Sequence, residues 1–263
     1  MEEEIERFPI LRLTKDGTSS IEEAVATEFP VTIILNDREL VTLLCSPKNL
    51  EYLAVGFLSS EGFLNSKDEI KKIVVDDQRG VVRLETVEDK GLTQDVLFKR
   101  LITSGCGRGA SFYNAADAAS QKVESRMKIS ADEVFALVRE FQHGSEVYLA
   151  THGVHSAALC DGKSILIFSE DIGRHNAIDK IFGKCLLEDI PTEDRVVITS
   201  GRISSEILHK VAKRSIPIII SISAPTNLGV KVADTLGITL IGFVRGKKMN
   251  VYTNEWRIKT GCG

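Results

Sequence analysis

The second half of the chain alternates short apolar runs with amphipathic segments, a pattern that few architectures can accommodate. Residues 218–222 (IIISI) follow Pro217 and are almost entirely apolar, which is typical of a strand buried on both faces. Comparable runs at 196–199 and 238–244 alternate with segments whose apolar residues recur at helical spacing. Strands that alternate with helices form a sheet covered by helices, so the pattern predicts a mainly parallel α/β layer.

Further elements extend this layer, which we predict to span residues 145–263. They are strands at 147–150, 164–168 and 249–252 and a helix at 174–187. Before this layer, a helix is expected to begin at Ser130, because Glu133 three residues later completes a capping box.

The first part of the chain predicts a smaller mixed α+β region over residues 1–110 with part of 111–144. Its expected elements are a hairpin of 31–35 and 40–45 around Asn36-Asp37, a helix that starts at Ser46-Pro47 before Leu50 and ends at Gly62, and a strand pair at 70–75 and 81–84. The chain then enters a glycine-rich stretch that we assign to a loop. The fold class is therefore α/β, with a layered domain and a smaller α+β region.

The charge balance argues against nucleic acid and membranes as partners. The 263 residues carry 33 basic and 37 acidic side chains, a formal net charge of −4, so the chain as a whole does not attract phosphate backbones or anionic lipids.

The N-terminal Met-Glu-Glu-Glu lacks the basic and apolar regions of a signal peptide, and no apolar run reaches the length of a membrane span. We therefore expect a cytoplasmic protein.

The five cysteines predict no disulfide framework, because their number is odd and none forms a Cys-x-x-Cys motif. Three lie in apolar contexts typical of buried thiols: Cys45, Cys160 and Cys185. Cys262 lies in the C-terminal tail, where mobility argues against a catalytic role. Cys106 differs, because flanking glycines leave its thiol sterically open and Arg108 favours a thiolate. Two interpretations stay open: a nucleophile or sulfur carrier, and an incidental cysteine in a tight turn.

Two predicted strand-to-helix junctions carry side chains suited to a ligand. The first contains Arg174, which can hold a phosphate bidentately, and His175, which can exchange protons near neutral pH. The second contains Ser200, Gly201 and Arg202, where backbone N–H groups and a hydroxyl can receive an anion. The density of polar residues at the first junction favours a binding site over a merely capped helix start.

Two other motifs give weaker signals. His152 and His155 suggest a metal site, but no companion zinc motif accompanies them, so no zinc is expected. Residues 242–248 end a late strand with a glycine turn and three cations, which suit phosphates. Taken alone, this segment is interpreted as an ordinary solvated hairpin.

Several ordered motifs together resemble those of the FdhD family of formate dehydrogenase accessory sulfurtransferases. They are 53–58 (LAVGFL) with Glu61-Gly62, 104–107 (SGCG), 151–155 (THGVH), 170–180 (EDIGRHNAIDK), 200–206 (SGRISSE), 223–226 (SAPT) and 242–245 (GFVR). The matches extend over most of the chain, and so many in one order are far more specific than a lone glycine motif.

The resemblance implies that a cysteine desulfurase passes a persulfide to this protein, which delivers the sulfur to the molybdenum cofactor of formate dehydrogenase. The cofactor is a bis(molybdopterin guanine dinucleotide), and Cys106 matches the family's persulfide-carrying cysteine. The matching cofactor-binding segment comprises Phe243, Val244, Arg245, Gly246, Lys247 and Lys248. The implied fold is a cytidine-deaminase-like layered domain without the deaminase zinc, plus a smaller domain, and the implied assembly is a homodimer.

One position departs from the family pattern. Many members have a second cysteine where this chain has Gly109, so a single thiol must accept and surrender the sulfur without an internal disulfide in that loop. The main alternative function is a non-catalytic chaperone that binds the molybdenum cofactor, with Cys106 incidental. A zinc hydrolase is a weaker third hypothesis.

Overall fold

The computed structural model describes residues 3–88, 100–102, 110–112 and 122–259. The strands are β1 (Ile5–Thr14), β2 (Gly17–Ala26), β3 (Phe29–Leu35), β4 (Arg38–Cys45), β5 (Ile70–Asp76), β6 (Val81–Thr86), β7 (Arg100–Ile102), β8 (Ala110–Phe112), β9 (Ile129–Ser130), β10 (His155–Cys160), β11 (Ile165–Asp171), β12 (Val196–Thr199), β13 (Ile218–Ser221), β14 (Thr239–Arg245), β15 (Lys248–Thr253) and β16 (Ile258–Lys259). The helices are α1 (Leu50–Ser60), α2 (Ala131–His143), α3 (Glu146–Thr151), α4 (Arg174–Leu187), α5 (Ser205–Ala212) and α6 (Asn227–Thr235), with 3-10 helices at Lys67–Glu69 and Glu255–Arg257.

The smaller region is built on a four-stranded sheet in the order β4-β3-β6-β5. β3 and β4 form the predicted antiparallel hairpin, in which Asn36 and Asp37 have left-handed φ values of 49° and 59°. Two residues in this conformation reverse the chain with the twist that a hairpin needs. α1 covers the sheet, and its buried Leu53, Phe57 and Leu58 share one apolar core with the strands.

The layered domain is built on a six-stranded sheet in the order β11-β10-β12-β13-β14-β15. Residues alternate between its faces, so Val197 and Ile219 pack with α4, α5 and α6, while Ile198 and Ile220 pack with α2. The fold is therefore a helix–sheet–helix sandwich, and the predicted α/β class is confirmed. α2 begins with the predicted capping box, in which the Ser130 Oγ accepts from the backbone N–H of Glu133.

The sheet is mixed rather than mainly parallel. β12, β13 and β14 are parallel neighbours, whereas β10 is antiparallel to both β11 and β12, and β15 is antiparallel to β14. Apolar runs do not record strand direction, and the prediction extended the direction of the central strands to the whole sheet.

The strand predicted at 147–150 is wrong, because these residues lie in helix α3. The carboxylate of Glu170 accepts from the backbone N–H groups of Val147 (3.5 Å) and Tyr148 (3.4 Å), so a residue from β11 caps the first turn of this helix. A cap supplied from a distant part of the chain leaves no local signal. The strand that does join the sheet here, β10, was not predicted, and neither was the β1–β2 ribbon.

α1 of the smaller region packs directly on α4 of the layered domain. A Cβ atom on Gly183 would lie 1.9 Å from the carbonyl oxygen of Tyr52, and one on Gly56 would lie 1.8 Å from that of Asp179. Glycine at both positions therefore lets the two helix backbones touch.

No helix within the described residues is long and apolar enough to cross a membrane.

Candidate functional site

The polar junctions singled out in the sequence meet at one edge of the six-stranded sheet. β12, β13 and β14 run in the same direction, and β11 joins them in this direction because β10 is antiparallel to both β11 and β12. The carboxyl ends of these four strands therefore lie at a common edge, where β10 begins. Loops beyond the carboxyl ends of strands are the usual place for ligands in open α/β sheets.

The first turn of α4 brings Arg174 and His175 to this edge. Arg174 is 8% exposed, and its side chain lies across the loop after β12, where a Cβ on Gly201 would be 2.9 Å from the Arg174 Cβ. His175 Nε2 lies 3.1 Å from Glu206 Oε2 on α5. The two predicted junctions are thus neighbours in the structure, with Arg174 packed against the loop that carries Ser200, Gly201 and Arg202.

Ser200 links this loop to the start of β10. Its Oγ accepts a hydrogen bond of 2.9 Å from the backbone N–H of Ser156 and lies 3.3 Å from His155 Nδ1. His155 was not predicted as a site residue, because its approach to Ser200 depends on the antiparallel pairing of β10 with β12. Glu206 was missed for a related reason, since sequence spacing alone does not bring it to His175.

Burial and charge set the protonation of the two imidazoles. Burial lowers the pKa of His155, and the positive charge of Arg174 lowers it further. Burial also lowers the pKa of His175 and outweighs the opposing effect of Glu206. The contact with His175 lowers the pKa of Glu206, so the pair combines a neutral imidazole with a carboxylate. The edge thus presents guanidinium groups beside neutral imidazoles, which can donate hydrogen bonds to an anion.

A chain of hydrogen bonds connects this cluster to the late strand. The Ser221 Oγ donates to the carbonyl of Gly201 at 2.7 Å and accepts from the backbone N–H of Ser223 at 2.9 Å. The carbonyl of Ser223 then accepts from the backbone N–H of Phe243 at 3.1 Å. The loop after β13 therefore lies between the Gly201 loop, against which Arg174 packs, and the segment proposed to bind cofactor.

The segment 243–248 has one buried side chain, and its other residues are exposed. Phe243 has a left-handed φ of 53° and is 39% exposed, with the Arg245 guanidinium 5.9 Å from its ring centroid. Val244 is 1% exposed and packs in the core, so only its backbone is available to a ligand. Gly246, Lys247 and Lys248 are exposed around the β14–β15 turn.

The described cysteines are confirmed as buried structural thiols. Burial raises the pKa of Cys45 and of Cys160 to about 12 and that of Cys185 to about 11, so none of the three is a ready nucleophile. Cys106, with Arg108 and Gly109, lies outside the described residues, and so does Cys262.

The two histidines considered as metal ligands have separate surroundings. His152 is exposed at the end of α3 and makes an edge-on contact with the Tyr148 ring at 5.0 Å, whereas His155 faces Ser200. Within residues 3–88 and 122–259, no three His, Cys, Asp or Glu side chains are grouped as metal ligands.

Comparison with known proteins gives one consistent relationship. The model of the FdhD/NarQ family matches residues 26–259. The chain belongs to this family. It is 45% identical to the sulfur carrier protein FdhD of Bacillus subtilis, over 95% of the chain and 96% of that protein. It is 41% identical to the protein of the same name from Staphylococcus aureus strain MRSA252, over 95% of each.

A solved structure shares the fold as well as the sequence relationship. A putative formate dehydrogenase accessory protein from Desulfotalea psychrophila is 28% identical, with a TM-score of 0.81. The match covers 97% of this chain and 99% of that protein. The family resemblance inferred from the motifs is therefore confirmed.

Proposed function

We propose that this protein is a sulfurtransferase that carries sulfur as a persulfide on Cys106 and delivers it to the molybdenum cofactor of formate dehydrogenase. Membership of the FdhD/NarQ family over residues 26–259 is the observation that carries the proposal. Relatives of 41–45% identity are named sulfur carrier proteins, and the solved relative is titled a formate dehydrogenase accessory protein.

The loading step follows from thiolate chemistry. The Cys106 thiolate attacks the terminal sulfur of a persulfide on a cysteine desulfurase, and the S–S bond of the donor breaks as the donor cysteine leaves as a thiolate. The sulfur atom changes partner without any net oxidation. The positive charge of Arg108, two residues away, favours the attacking thiolate. Because Gly109 replaces a second thiol, the same Cys106 surrenders the sulfur.

The edge of the six-stranded sheet supplies the binding half of the proposal. Its substrate is the bis(molybdopterin guanine dinucleotide) cofactor, whose phosphates suit Arg174, His175 and the loop of Ser200, Gly201 and Arg202. The hydroxyl of Ser204, 9% exposed at the start of α5, has no hydrogen-bond partner among the described residues. An unpaired hydroxyl beside a helix N-terminus is available to an anion.

The β14–β15 segment extends this surface. Arg245, Lys247 and Lys248 are exposed cations, and Phe243 offers a ring face to a flat heterocycle such as guanine. The proposed partners are a cysteine desulfurase and formate dehydrogenase, and the proposed assembly is a homodimer in the cytoplasm.

Intact-protein mass spectrometry tests the carrier step. Wild type is incubated with a cysteine desulfurase and cysteine and is analysed without reductant, beside Cys106→Ser and Cys262→Ser. We expect a reducible gain of one sulfur atom in wild type and Cys262→Ser and none in Cys106→Ser. No gain in wild type, while a control acceptor protein is loaded, would contradict the carrier mechanism and favour the cofactor-binding chaperone.

A second arm separates these two functions in the cell. In a strain lacking its own family member, Cys106→Ala should fail to restore formate dehydrogenase activity if sulfur transfer is required. Full restoration would favour the chaperone.

A further inference from the structure

The carboxylate of Asp171 joins the candidate site to the smaller region. It is fully buried at the end of β11, and its Oδ1 accepts from the backbone N–H of Gly173 (2.8 Å) and from Asn176 Nδ2 (2.9 Å). Its Oδ2 accepts from the backbone N–H of Ser46 (3.1 Å) and lies 2.7 Å from Lys180 Nζ. One carboxylate thus holds the N-terminal turn of α4 and a residue of the β4–α1 connection.

Neighbouring groups form further hydrogen bonds between the same two segments. The Lys180 ammonium donates to the carbonyl of Ser46 at 3.2 Å, and Ser46 Oγ accepts from the backbone N–H of Ile172 at 3.2 Å. Asn176 Nδ2 also donates to the carbonyl of Leu44 at 2.9 Å. We call these groups, Leu44, Ser46, Asp171, Asn176 and Lys180, the α4 clamp. A buried ion pair with so many accompanying hydrogen bonds favours one geometry over alternatives.

Asp171 and Ser46 each hold one of the two residues that precede the helix. Ile172 and Gly173 are each held by a clamp hydrogen bond, and Arg174 and His175 follow directly. The direction in which these two side chains leave the helix is therefore set by the clamp. Arg174 is further confined because it packs against Gly201.

We propose that Asp171 and Ser46 are positioning residues, which fix the first turn of α4 so that Arg174 and His175 bind the phosphates of the cofactor. The inference rests on the proposed function, since it concerns the same binding edge. Neither residue contacts the ligand. The smaller region thereby sets the affinity of a site that is built on the layered domain.

A second anchor at the other end of α1 provides a matched control. Ser60 Oγ donates to Asp179 Oδ1 at 2.6 Å, and Asp179 also pairs with Lys210 at 2.5 Å. Ser46 and Ser60 are both buried serines of the smaller region whose hydroxyls bond to the layered domain. Of these two serines, Ser46 is the one that bonds to the turn that carries Arg174.

The test compares guanosine diphosphate binding by calorimetry in Ser46→Ala, Ser60→Ala and Asp171→Asn, with the melting temperature of each variant. We expect affinity to fall about threefold in Ser46→Ala and at least tenfold in Asp171→Asn, which follow from the loss of a neutral and of a charge-assisted hydrogen bond. Ser60→Ala should stay within twofold of wild type in affinity, although it loses a charge-assisted hydrogen bond to Asp179 and therefore at least as much melting temperature as Ser46→Ala.

Equal loss of affinity in Ser46→Ala and Ser60→Ala would overturn the proposal, because a general loss of stability would explain both. Wild-type affinity in Ser46→Ala would also overturn it, whether or not Asp171→Asn folds.

Hydrogen exchange without ligand distinguishes this inference from the proposed function. Ser46→Ala should speed exchange of the Ile172, Gly173 and Ala177 amides, and Ser60→Ala should not. If wild type binds no guanosine diphosphate but this difference is found, the binding half of the proposed function fails while the clamp stands. If exchange at these amides is equal in the two variants, the clamp fails.

Discussion

Helix α4 has two regions with opposite properties. In its middle, Asp179, Lys180 and Gly183 are buried, and the backbone at Gly183 touches that of α1. In its first turn, His175 is only partly buried, and Arg174 reaches the edge of the sheet beside an exposed Arg202. The middle directs its polar groups into the protein interior, whereas the first turn brings its polar groups to an edge that suits an anion.

The difference teaches how one helix can serve both the structure and the proposed binding of an anion. A buried, close-packed middle gives the helix a fixed position, and a fixed position is what an anion site needs if its guanidinium is to be aimed before the ligand arrives. Substitutions in the middle should therefore change stability first, and substitutions in the first turn should change affinity first.

The largest expected effect is on the middle of the helix. Gly183→Ala would place a Cβ 1.9 Å from the Tyr52 carbonyl oxygen and 2.8 Å from the Gly56 amide nitrogen, so the two helices must separate. We expect a loss of about 3 kcal/mol in the free energy of unfolding, measured by urea denaturation. Gly144→Ala is the control, because its Cβ would meet nothing closer than 3.5 Å. Equal stability of the two variants would show that the helices do not touch.

The next effect is on the first turn. Arg174→Ala should weaken guanosine diphosphate binding by about tenfold to a hundredfold, the range expected for a charge-assisted hydrogen bond to phosphate. Arg79→Ala, which changes an exposed arginine between β5 and β6, should leave the affinity unchanged. Calorimetry measures both. Wild-type affinity in Arg174→Ala would show that Arg174 does not bind the ligand. The first turn of α4 would then have no role in binding that distinguishes it from the middle.

The sequence predicted elements well where the signal was local. The hairpin around Asn36-Asp37, the capping box of Ser130 and the bounds of α4 all follow from neighbouring residues, and all three are confirmed. Helix α3 was predicted as a strand. The residue that caps it, Glu170, lies on β11 and leaves no signal in the sequence next to the helix. The direction of the outer strands likewise depends on pairing that no local pattern records.

The residues that meet at the candidate site were predicted in part, for the same reason. Arg174, His175 and the loop at Ser200 stand out as dense polar junctions, so spacing alone could select them. His155 and Glu206 join them only after β10 and α5 take their places. The clamp was beyond prediction, because Ser46 and Asp171 are 125 residues apart in the chain.

A smaller effect concerns pH and the two histidines beside the first turn. The pKa of His155 and of His175 is lowered by burial, so the unfolded chain, with ordinary values near 6.5, binds protons first as the pH falls. The free energy of unfolding should therefore decrease as the pH drops below about 6.5 and level off once the folded-state histidines are protonated. Urea titrations between pH 7.5 and about 5.5 measure the slope. The double variant His155→Gln/His175→Gln should flatten it, and an unchanged slope would contradict the assignment.

The smallest effect is expected in the β14–β15 turn, which extends the comparison from buried to exposed cations. Lys247 and Lys248 are exposed, so their attraction to a phosphate is screened by salt and offset by the entropy of ordering two long side chains. Lys247→Ala/Lys248→Ala should weaken guanosine diphosphate binding by about threefold at low salt and by less at high salt. The loss caused by Arg174→Ala should persist at high salt, because that guanidinium is 8% exposed and less screened. Equal salt sensitivity of the two losses would mean that burial of the first turn contributes nothing to binding.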